Sequence, residues 1–418
     1  MADNTLKVPF SRPSINEEEE KAVLDVVKSG WLTTGKVTLE FEKEFSEFMN
    51  KGLPKDGSVS KTSSSSNTQT SDKVISLAVN SNTSGIILAM HACGVKAGTA
   101  VITTPYTFVS TAACAKHLGA DVIFADLKKD TYNIDPDNIE KILIENEKTK
   151  KYDIKAIVPV HIAGNVCDMK RIMELAKKYN LKVIEDAAHS FPSLTDVGYA
   201  GTIGDIGVFS FYATKPLTTG EGGMVCTKDE KLAHDMTVMR LHGMDRTTWD
   251  RYTSPKASWQ YDIVAPGYKF NLPDILSALG RVQLKKTEEM FTKRKHIVDI
   301  YNKAFKDVDF VQVPPDEKGN AWHLYLMRLN LDKLTIDRDE FSRLLQAAGI
   351  GVSMHFIPLF HFTYWKELDK NFTAENFPVA QNQFIRTITL PLWPDMTDQM
   401  AYDTIEAVKK IGSEYHAG

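Results

Sequence analysis

The chain has 418 residues, of which 43% are hydrophobic, 25% charged and 10% aromatic. This composition is typical of a globular protein with a large core and excludes a disordered, collagen-like or coiled-coil chain. Its 50 Lys and Arg against 54 Asp and Glu give a formal net charge of −4, so nucleic acid is not the expected partner. The four cysteines form no CxxC pair, and the chain has neither an apolar leader nor a run of about 18 apolar residues. We therefore expect a reducing cytoplasm, without a disulfide framework, metal site or membrane segment.

Two amphipathic helices are predicted near the N-terminus, over residues 15–28 and 39–49. The acidic residues 17–20 occupy the first turn of the first helix, and Gly30 follows its end. Residues 52–73 are rich in Ser, Thr, Lys and Gly and have few apolar residues. We expect them to form a mobile surface insertion.

From residue 74 onward, short apolar segments alternate with helical ones. The apolar segments read VISLAV, AVITTP, DVIFADL, AIVPVHIAG, KVIEDAA, GVFSFYA and GGMVCT, and helices are predicted over residues 83–93, after Ser110 and over residues 169–179. This alternation predicts an α/β fold in which a mainly parallel sheet is covered on both faces. Because such sheets bind ligands outside the carboxyl ends of their strands, residues directly after these segments are the first candidates for a site.

The pattern changes after Gly267. A long helical stretch over residues 272–303 precedes strand-like WHLYLMRLNL, a helix over residues 338–348 and strand-like ITLPLW. We expect a large domain over residues 1–285 and a smaller α+β domain over residues 286–418.

Asp186 ends the predicted strand KVIEDAA, and Lys215 follows it in FSFYATKPLTTGEGG. An isolated carboxylate after a strand is more often a helix cap, and an isolated lysine is more often a solvated charge. Here Phe209, Phe211 and Tyr212 flank the lysine, and aromatic neighbours would favour the neutral amine that Schiff-base chemistry requires. The carboxylate could then pair with the protonated ring nitrogen of a cofactor.

Other strand ends carry groups suited to an anion. SNTSG at residues 81–85 follows VISLAV and opens a helix, so it could bind a phosphate, although helix capping explains the same residues. Ser210 could also contact a phosphate, and Phe108 could be either a core residue or a stacking platform. The chain has neither a Walker motif nor a GxGxxG fingerprint, which disfavours a nucleotide hydrolase and a dinucleotide-dependent oxidoreductase.

Together these motifs resemble the DegT/StrS family of pyridoxal-phosphate (PLP)-dependent sugar-nucleotide aminotransferases. The resemblance extends from PFSRPSINEEE and SGWLTTG to ITLPLWPDMT, and residues 52–73 are foreign to it. It implies PLP-dependent transferase fold type I, the aspartate-aminotransferase fold, and a homodimer with shared active sites. It also implies that glutamate gives its amino group to the cofactor, which then aminates the keto group of a nucleotide-linked sugar, with a UDP-linked 4-keto sugar as first choice.

The resemblance carries roles to matching positions. Lys215 matches the Schiff-base lysine, Asp186 the partner of the pyridine nitrogen, and His189 a position near the phenolic oxygen of the cofactor. The other implied cofactor contacts are Thr83, Ser84 and Ser210 for the phosphate and Phe108 for the ring.

The segment GYKFN resembles a family segment that reaches into the neighbouring subunit's site. Lys269 stands where Asn is usual and Asn271 where Arg is common, so either could meet the neighbour's phosphate. A similar GYKYN pattern occurs in enzymes that form 4-amino-4-deoxy-L-arabinose on UDP. In MHFIPLFH, His355 and His361 could face the substrate, although such histidines equally often satisfy core hydrogen bonds.

Four rival functions are weighed against these residues. A same-fold sugar dehydratase has histidine in place of the lysine, and a non-catalytic sugar-nucleotide-binding regulator would be expected to lose Lys215 or Asp186. An oxidoreductase would require the absent glycine fingerprint. An aminotransferase for a keto acid such as oxaloacetate would need an arginine to clamp a second carboxylate, and the sequence identifies none.

Overall fold

The computed structural model of the chain describes residues 6–53, 70–245 and 261–418. Most of the predicted insertion, residues 54–69, lies outside the described residues. The first strand, β1, spans Thr70–Val79 and so begins inside the range assigned to the insertion. That part of the prediction was wrong, because residues 70–73 continue the strand that the apolar segment VISLAV indicates.

A seven-stranded sheet forms the centre of the first part of the chain. After β1 come β2 (Thr99–Thr103), β3 (Asp121–Phe124), β4 (Asp153–Ile157), β5 (Lys182–Asp186), the hairpin strands β6 (Leu194–Thr195) and β7 (Gly198–Tyr199), β8 (Ile206–Ser210) and β9 (Gly223–Asp229). The large sheet has the order β1-β9-β8-β5-β4-β2-β3. The five strands from β8 to β3 are parallel, and β9 is antiparallel to both of its neighbours. The prediction of a mainly parallel α/β sheet is confirmed.

Helices connect and cover these strands. They are α1 (Glu17–Ser29), α2 (Lys36–Asn50), α3 (Asn82–Ala92), α4 (Ser110–His117), α5 (Pro136–Thr149), α6 (Met169–Tyr179), α7 (Glu230–Met239), α8 (Asp274–Lys285) and α9 (Thr287–Phe305). The single stretch predicted over residues 272–303 is therefore two helices. The chain turns at Lys286, whose backbone has φ −90° and ψ 0° and whose ammonium group binds the buried carboxylate of Glu19 on α1 at 2.8 Å.

A second, three-stranded antiparallel sheet lies in the C-terminal part. Its strands, in the order β10-β11-β12, are β10 (Val311–Gln312), β11 (Tyr325–Leu329) and β12 (Thr387–Leu390). The helices here are α10 (Arg338–Ala347), α11 (Thr363–Leu368), α12 (Pro378–Arg386) and α13 (Asp398–Glu414). Short 3₁₀ turns occur at Ile162–Gly164, Leu331–Lys333, Leu359–His361 and Ala374–Asn376.

The two parts have separate apolar cores and one shared cluster. The core of the C-terminal part runs from Ile297 to Ile411 and also takes in Val8 from the N-terminal segment, which forms a bridge with Ile350. The shared cluster joins Tyr106 and Val160 to residues such as Leu326. In the part of the chain that the structure describes, no helix is long and apolar enough to cross a membrane.

Candidate active site

The candidate site lies where β5 and β8 end beside the first turns of α3 and α4. Asp186 is the last residue of β5. Its Oδ1 accepts a hydrogen bond from Asn82 Nδ2 at 3.3 Å, and its Oδ2 accepts one from the Thr111 hydroxyl at 2.7 Å. Both donors come from helices that begin at the same edge of the sheet, so this edge gathers polar groups as parallel-sheet geometry predicts.

Asp186 is buried, with 4% of its surface exposed. Burial raises the pKa of its carboxyl group above the ordinary value, while hydrogen bonds from Thr111, the Ala188 N–H and Asn82 and the charge of Lys215 oppose the rise. Its hydrogen-bond donors are neutral, and no cationic group lies within ion-pair distance among the described residues. The carboxylate can therefore gain from a cation placed against it.

Lys215 follows β8 in a turn closed by its N–H and the Tyr212 carbonyl at 2.9 Å. Burial lowers the pKa of Lys215 to about 8, although the charge of Asp186 acts to raise it. A substantial fraction of the amine is thus neutral near physiological pH, as a nucleophilic lysine requires.

The aromatic flank predicted around Lys215 was wrong. Phe209 and Phe211 are buried in an apolar cluster with α2 residues such as Phe41, because alternate side chains of this strand face the covering helix. Tyr212 is 48% exposed. The titratable groups that interact with Lys215 are instead Asp186 and the histidines His189, His323 and His355.

Ser210 lies next to the first turn of α3. It pairs with Gly223 across β8 and β9, and a Cβ at Gly223 would lie 2.8 Å from the Ser81 carbonyl carbon and 2.9 Å from the Asn82 nitrogen. Only glycine permits this approach, so β9 brings Ser210 and the N-terminal end of α3 together. Backbone N–H groups at such a helix start can bind an anion.

The two predicted phosphate ligands in α3 differ in their own hydrogen bonds. The Ser84 hydroxyl donates to Asn80 Oδ1 at 2.6 Å, and the Ser84 N–H donates to Ser81 Oγ at 3.1 Å. The Thr83 hydroxyl has no partner among residues 6–53, 70–245 and 261–418. Thr83 is therefore the more available hydroxyl of the pair.

Phe108 projects from the turn that precedes α4. Its side chain is 59% exposed, and its ring lies 6.1 Å from that of Phe356 in the C-terminal part. The core alternative for Phe108 is therefore wrong, and its ring is available to a flat ligand.

The side chains of His189, His323 and His355 come together near Lys215. The centroid of the His189 ring lies 4.6 Å from that of His323 and 6.5 Å from that of His355. Burial lowers the pKa of His189 well below its usual value, and the charges of Lys215 and His355 act in the same direction. Burial likewise lowers the pKa of His355 to about 3, so these rings are neutral at physiological pH.

His361 does not join this group. Its Nε2 lies 2.8 Å from Gln381 Oε1, and its ring packs on Phe384 at 4.9 Å. For His361 the alternative of a satisfied histidine within the C-terminal part is the better description.

Exposed Lys269 and half-buried Asn271 lie near the start of α3. Their side chains contact each other, and Asn271 Nδ2 donates to the Thr34 hydroxyl at 2.6 Å. The Lys269 carbonyl accepts a bond from Asn80 Nδ2 at 3.3 Å. A hydrogen bond thus connects the segments GYKFN and SGWLTTG of the same chain beside the predicted phosphate site.

Sequence reasoning missed Asn82, Thr111 and His323. Asn82 lies in SNTSG and Thr111 at the start of the helix predicted after Ser110, so a search for donors to Asp186 could have proposed both. His323 in WHLYLMRLNL gave no signal, because its approach to Lys215 depends on how the C-terminal part packs.

A lysine with a lowered pKa and a buried carboxylate at the edge of such a sheet are the pair of groups that a PLP-dependent aminotransferase requires. The chain belongs to the DegT/DnrJ/EryC1/StrS aminotransferase family, whose model matches residues 13–64 and 68–409. Only residues 65–67 interrupt that match, so the part foreign to the family is much shorter than the predicted 52–73.

The relatives and solved structures agree with this membership. The spore coat polysaccharide biosynthesis protein SpsC of Bacillus subtilis is 39% identical over 407 residues, covering 97% of each chain. Spr1654 of Streptococcus pneumoniae, described as a sugar aminotransferase and solved in a PMP form, is 30% identical with a TM-score of 0.84, covering 98% of this chain and 100% of that one. Helicobacter pylori PseC, an aminotransferase of pseudoaminic acid biosynthesis, is 27% identical with a TM-score of 0.83 over 98% and 100% of the two chains.

The residues present fit PLP, the cofactor of this family. A buried carboxylate without a cationic hydrogen-bond partner suits a protonated pyridine nitrogen, the start of α3 suits a phosphate, and exposed Phe108 suits an aromatic ring. When bound, PLP supplies an electron-accepting ring that stabilises negative charge at the reacting carbon of the substrate.

Proposed function

We propose that this aminotransferase moves the amino group of glutamate to the keto group of a nucleotide-linked sugar, with a UDP-linked 4-keto sugar as first choice. The observation that carries the proposal is Lys215, with a pKa of about 8, beside buried Asp186 in a chain of this family. The names of SpsC and PseC refer to polysaccharide and pseudoaminic acid biosynthesis, which supports a sugar acceptor.

Lys215 and Asp186 have distinct roles in this proposal. Lys215 Nζ would hold the cofactor covalently at rest and, once free, would move a proton to and from the reacting carbons as general acid and base. Its lowered pKa lets one amine perform both transfers near neutral pH. Asp186 keeps the ring nitrogen protonated, since the ionised carboxylate stabilises a cation in its buried pocket.

The other residues bind and orient the cofactor. Ser210 and Thr83, with the N–H groups at the start of α3, hold the phosphate, and Ser84 shapes that turn through its own hydrogen bonds. Phe108, whose side chain is exposed, would lie against the ring. Since His189 Nδ1 accepts the Ala163 N–H at 3.2 Å, neutral His189 carries its proton on Nε2 and can donate to the phenolic oxygen.

The geometry also bears on the acceptor. Among the described residues, the titratable groups that interact with Lys215 are histidines and Asp186. The nearby guanidinium of Arg294 is buried and donates to the Leu392 carbonyl at 3.3 Å. His355 faces the same region as Lys215 and is our candidate for contact with the sugar.

An acceptor assay tests this assignment. The protein is incubated with PLP, glutamate and either oxaloacetate or a panel of nucleotide-linked 4-keto sugars, and aminated products are identified by mass spectrometry. We expect amination of a nucleotide-linked sugar. Efficient amination of oxaloacetate with none of any sugar would contradict the acceptor, while dehydration without amination would favour the same-fold dehydratase.

We further propose a homodimer in which Lys269 and Asn271 of one copy complete the phosphate site of the other. Lys269 is exposed and Asn271 half-buried, and the same segment of the chain carries the apolar side chains of Ile263 and Val264, which are 50% and 59% exposed. A second copy could cover these side chains.

Subunit mixing tests the shared site. Lys215→Ala subunits are mixed with subunits carrying both Lys269→Ala and Asn271→Ala. Because one site of each hybrid would hold all wild-type groups, we expect part of the activity to return. A monomer in sedimentation at active concentrations would contradict the dimer.

The domain division and location are also proposals. The apolar cluster of the C-terminal part supports a domain that begins near residue 286, to which the N-terminal segment contributes Val8. The cysteines are unpaired thiols, which supports a reducing cytoplasm. Thermal unfolding of a chain cut after residue 285 would test the division, and fractionation of cells would test the location.

A further inference from the structure

His189 and His323 form a buried pair of imidazole rings next to Lys215. Their centroids are 4.6 Å apart with an interplanar angle of 67°, an edge-to-face arrangement. The residues are 5% and 3% exposed. His189 follows β5, whereas His323 precedes β11, so the pair connects the two parts of the molecule.

One residue fixes both members of the pair. The Ala163 N–H donates to the ring atom His189 Nδ1 at 3.2 Å. The Ala163 carbonyl accepts a hydrogen bond from the backbone N–H of His323 at 3.0 Å. Ala163 has φ +61°, a left-handed conformation that is uncommon for a residue with a side chain. Such strain persists where the surrounding contacts impose it, and here they come from both parts of the chain.

The neighbouring glycine strengthens this connection. The Gly164 carbonyl accepts the Ala321 N–H at 3.1 Å and the Ser193 hydroxyl at 2.7 Å. A Cβ at Gly164 would lie 2.9 Å from the Trp322 nitrogen. The turn at residues 162–164 is therefore packed directly against the segment that carries His323.

The ring of His323 has an unused polar atom. Its Nδ1 is buried and has no hydrogen-bond partner among the described residues, and an unsatisfied buried group is costly. Burial lowers the pKa of His323 well below the usual value, and His189, Lys215 and Arg294 act in the same direction. A neutral, poorly satisfied ring held against another histidine is hard to explain by stability alone.

We propose that His323 is a positioning residue for His189. The edge-to-face contact between the two rings and the shared Ala163 hold His189 with Nδ1 as acceptor and Nε2–H as the free donor, so the C-terminal part tunes the cofactor through His189. This inference rests on the proposed function only in that His189 faces PLP.

A double-mutant cycle read by absorbance tests the coupling. The pH midpoint of the visible absorbance of lysine-bound PLP is measured for His323→Leu and for the same change in a His189→Gln background. We expect a shift of about half a pKa unit or more in the first case and a much smaller one in the second, because contacting residues couple. His361→Leu is the matched control, since it changes a partly buried histidine of the same part that lacks contact with His189.

Equal shifts in both backgrounds, or the same shift in the control, would overturn the proposal. If His323→Leu does not fold, His323→Gln, which keeps a planar polar edge, takes its place, with a smaller but still His189-dependent shift expected. The measurement needs no substrate, so failure to aminate any sugar would count against the proposed function and leave this inference standing. Wild-type protein that forms no PLP absorbance would overturn both.

Discussion

Two neighbouring carboxylates on β5 occupy opposite faces of the sheet and have contrasting surroundings. Glu185 and Asp186 are both buried, at 0% and 4% exposed, and consecutive side chains in a strand alternate between its faces. Glu185 contacts His161 Nε2 at 2.9 Å and accepts three further bonds of 2.7 to 2.8 Å from the N–H groups of Gly201, Ile203 and Gly204. Within the described parts of the chain, the donors to Asp186 are all neutral.

The pKa values of the two groups consequently move in opposite directions. Burial acts to raise both, but at Glu185 the bonds from His161 and the backbone N–H groups outweigh it and lower the pKa. At Asp186 burial prevails and the pKa is raised. Burial of a carboxylate therefore does not by itself identify a functional site. Asp186, whose hydrogen bonds compensate its negative charge poorly, can still be stabilised by a cationic ligand.

Each carboxylate also has a half-buried lysine nearby, which allows the sharpest test of the comparison. Burial lowers the pKa of Lys228, near Glu185, as it lowers that of Lys215, but Lys228 Nζ donates to the Thr202 carbonyl at 2.7 Å. We expect Lys215→Ala to abolish borohydride-trapped PLP and transamination completely, because Lys215 is the only lysine among the described residues whose charge acts on Asp186. Lys228→Ala is the matched control and should retain the trapped adduct by mass spectrometry. An adduct that persists in Lys215→Ala would show that another lysine is used.

The second largest effect is expected at Asp186 itself. Asp186→Asn should lower turnover about 100-fold or more, since a neutral amide cannot stabilise the protonated ring nitrogen, while PLP still binds. Steady-state rates and PLP absorbance measure the two properties separately. Glu185→Gln should keep its turnover per folded, PLP-loaded molecule. Near-normal rates in Asp186→Asn would remove this carboxylate from the mechanism.

Stability should respond in the opposite order. Glu185→Gln is expected to lower the free energy of unfolding at neutral pH by about 2 kcal/mol, because an amide cannot accept all four bonds and leaves buried donors unsatisfied. Asp186→Asn should leave stability unchanged or raise it, since it removes a charge that burial disfavours. Denaturant unfolding of the protein without PLP measures both. A larger loss in Asp186→Asn would reverse our assignment of the two carboxylates.

The pH dependence of that stability follows from the same pKa shifts. The lowered pKa of Glu185 means that its contribution is present above the unfolded-state pKa and lost as pH falls through the folded-state value. The raised pKa of Asp186 means the reverse: its contribution is present below the unfolded-state pKa and lost as pH rises through the folded-state value. In wild-type protein the two trends partly cancel. Each single variant should therefore expose the trend of the carboxylate that it keeps.

Local patterns predicted the edge of the sheet but not the full surroundings of the site. Alternation of apolar and helical segments placed Asp186 at a strand end, and α6 has the predicted bounds. These features depend on neighbours within a few residues. The sequence did not predict the contrast between Glu185 and Asp186. Their hydrogen-bond donors come from separate turns and helices that only the folded chain brings together.

The wrong predictions share the same cause. Phe209 and Phe211 are close to Lys215 in the sequence but face α2, while His323, distant in the sequence, approaches it in space. At the break between α8 and α9, Lys286 binds Glu19 of the distant α1. In each case the structure has a contact between residues far apart in the sequence, and local sequence patterns do not predict such contacts.

The smallest expected effect concerns the charge coupling between Asp186 and Lys215. The charge of Asp186 acts to raise the pKa of Lys215, which burial lowers to about 8, so Asp186→Asn should move the pH midpoint of this lysine further down. The rate of acylation of Lys215 between about pH 6 and pH 10, followed by mass spectrometry in protein without PLP, measures that midpoint. Glu185→Gln should leave it in place, since Glu185 lies on the other face and already binds His161. Equal midpoints in Asp186→Asn and wild type would mean that the two groups share an edge of the sheet without sharing a charge interaction, and Asp186 would then act on the cofactor alone.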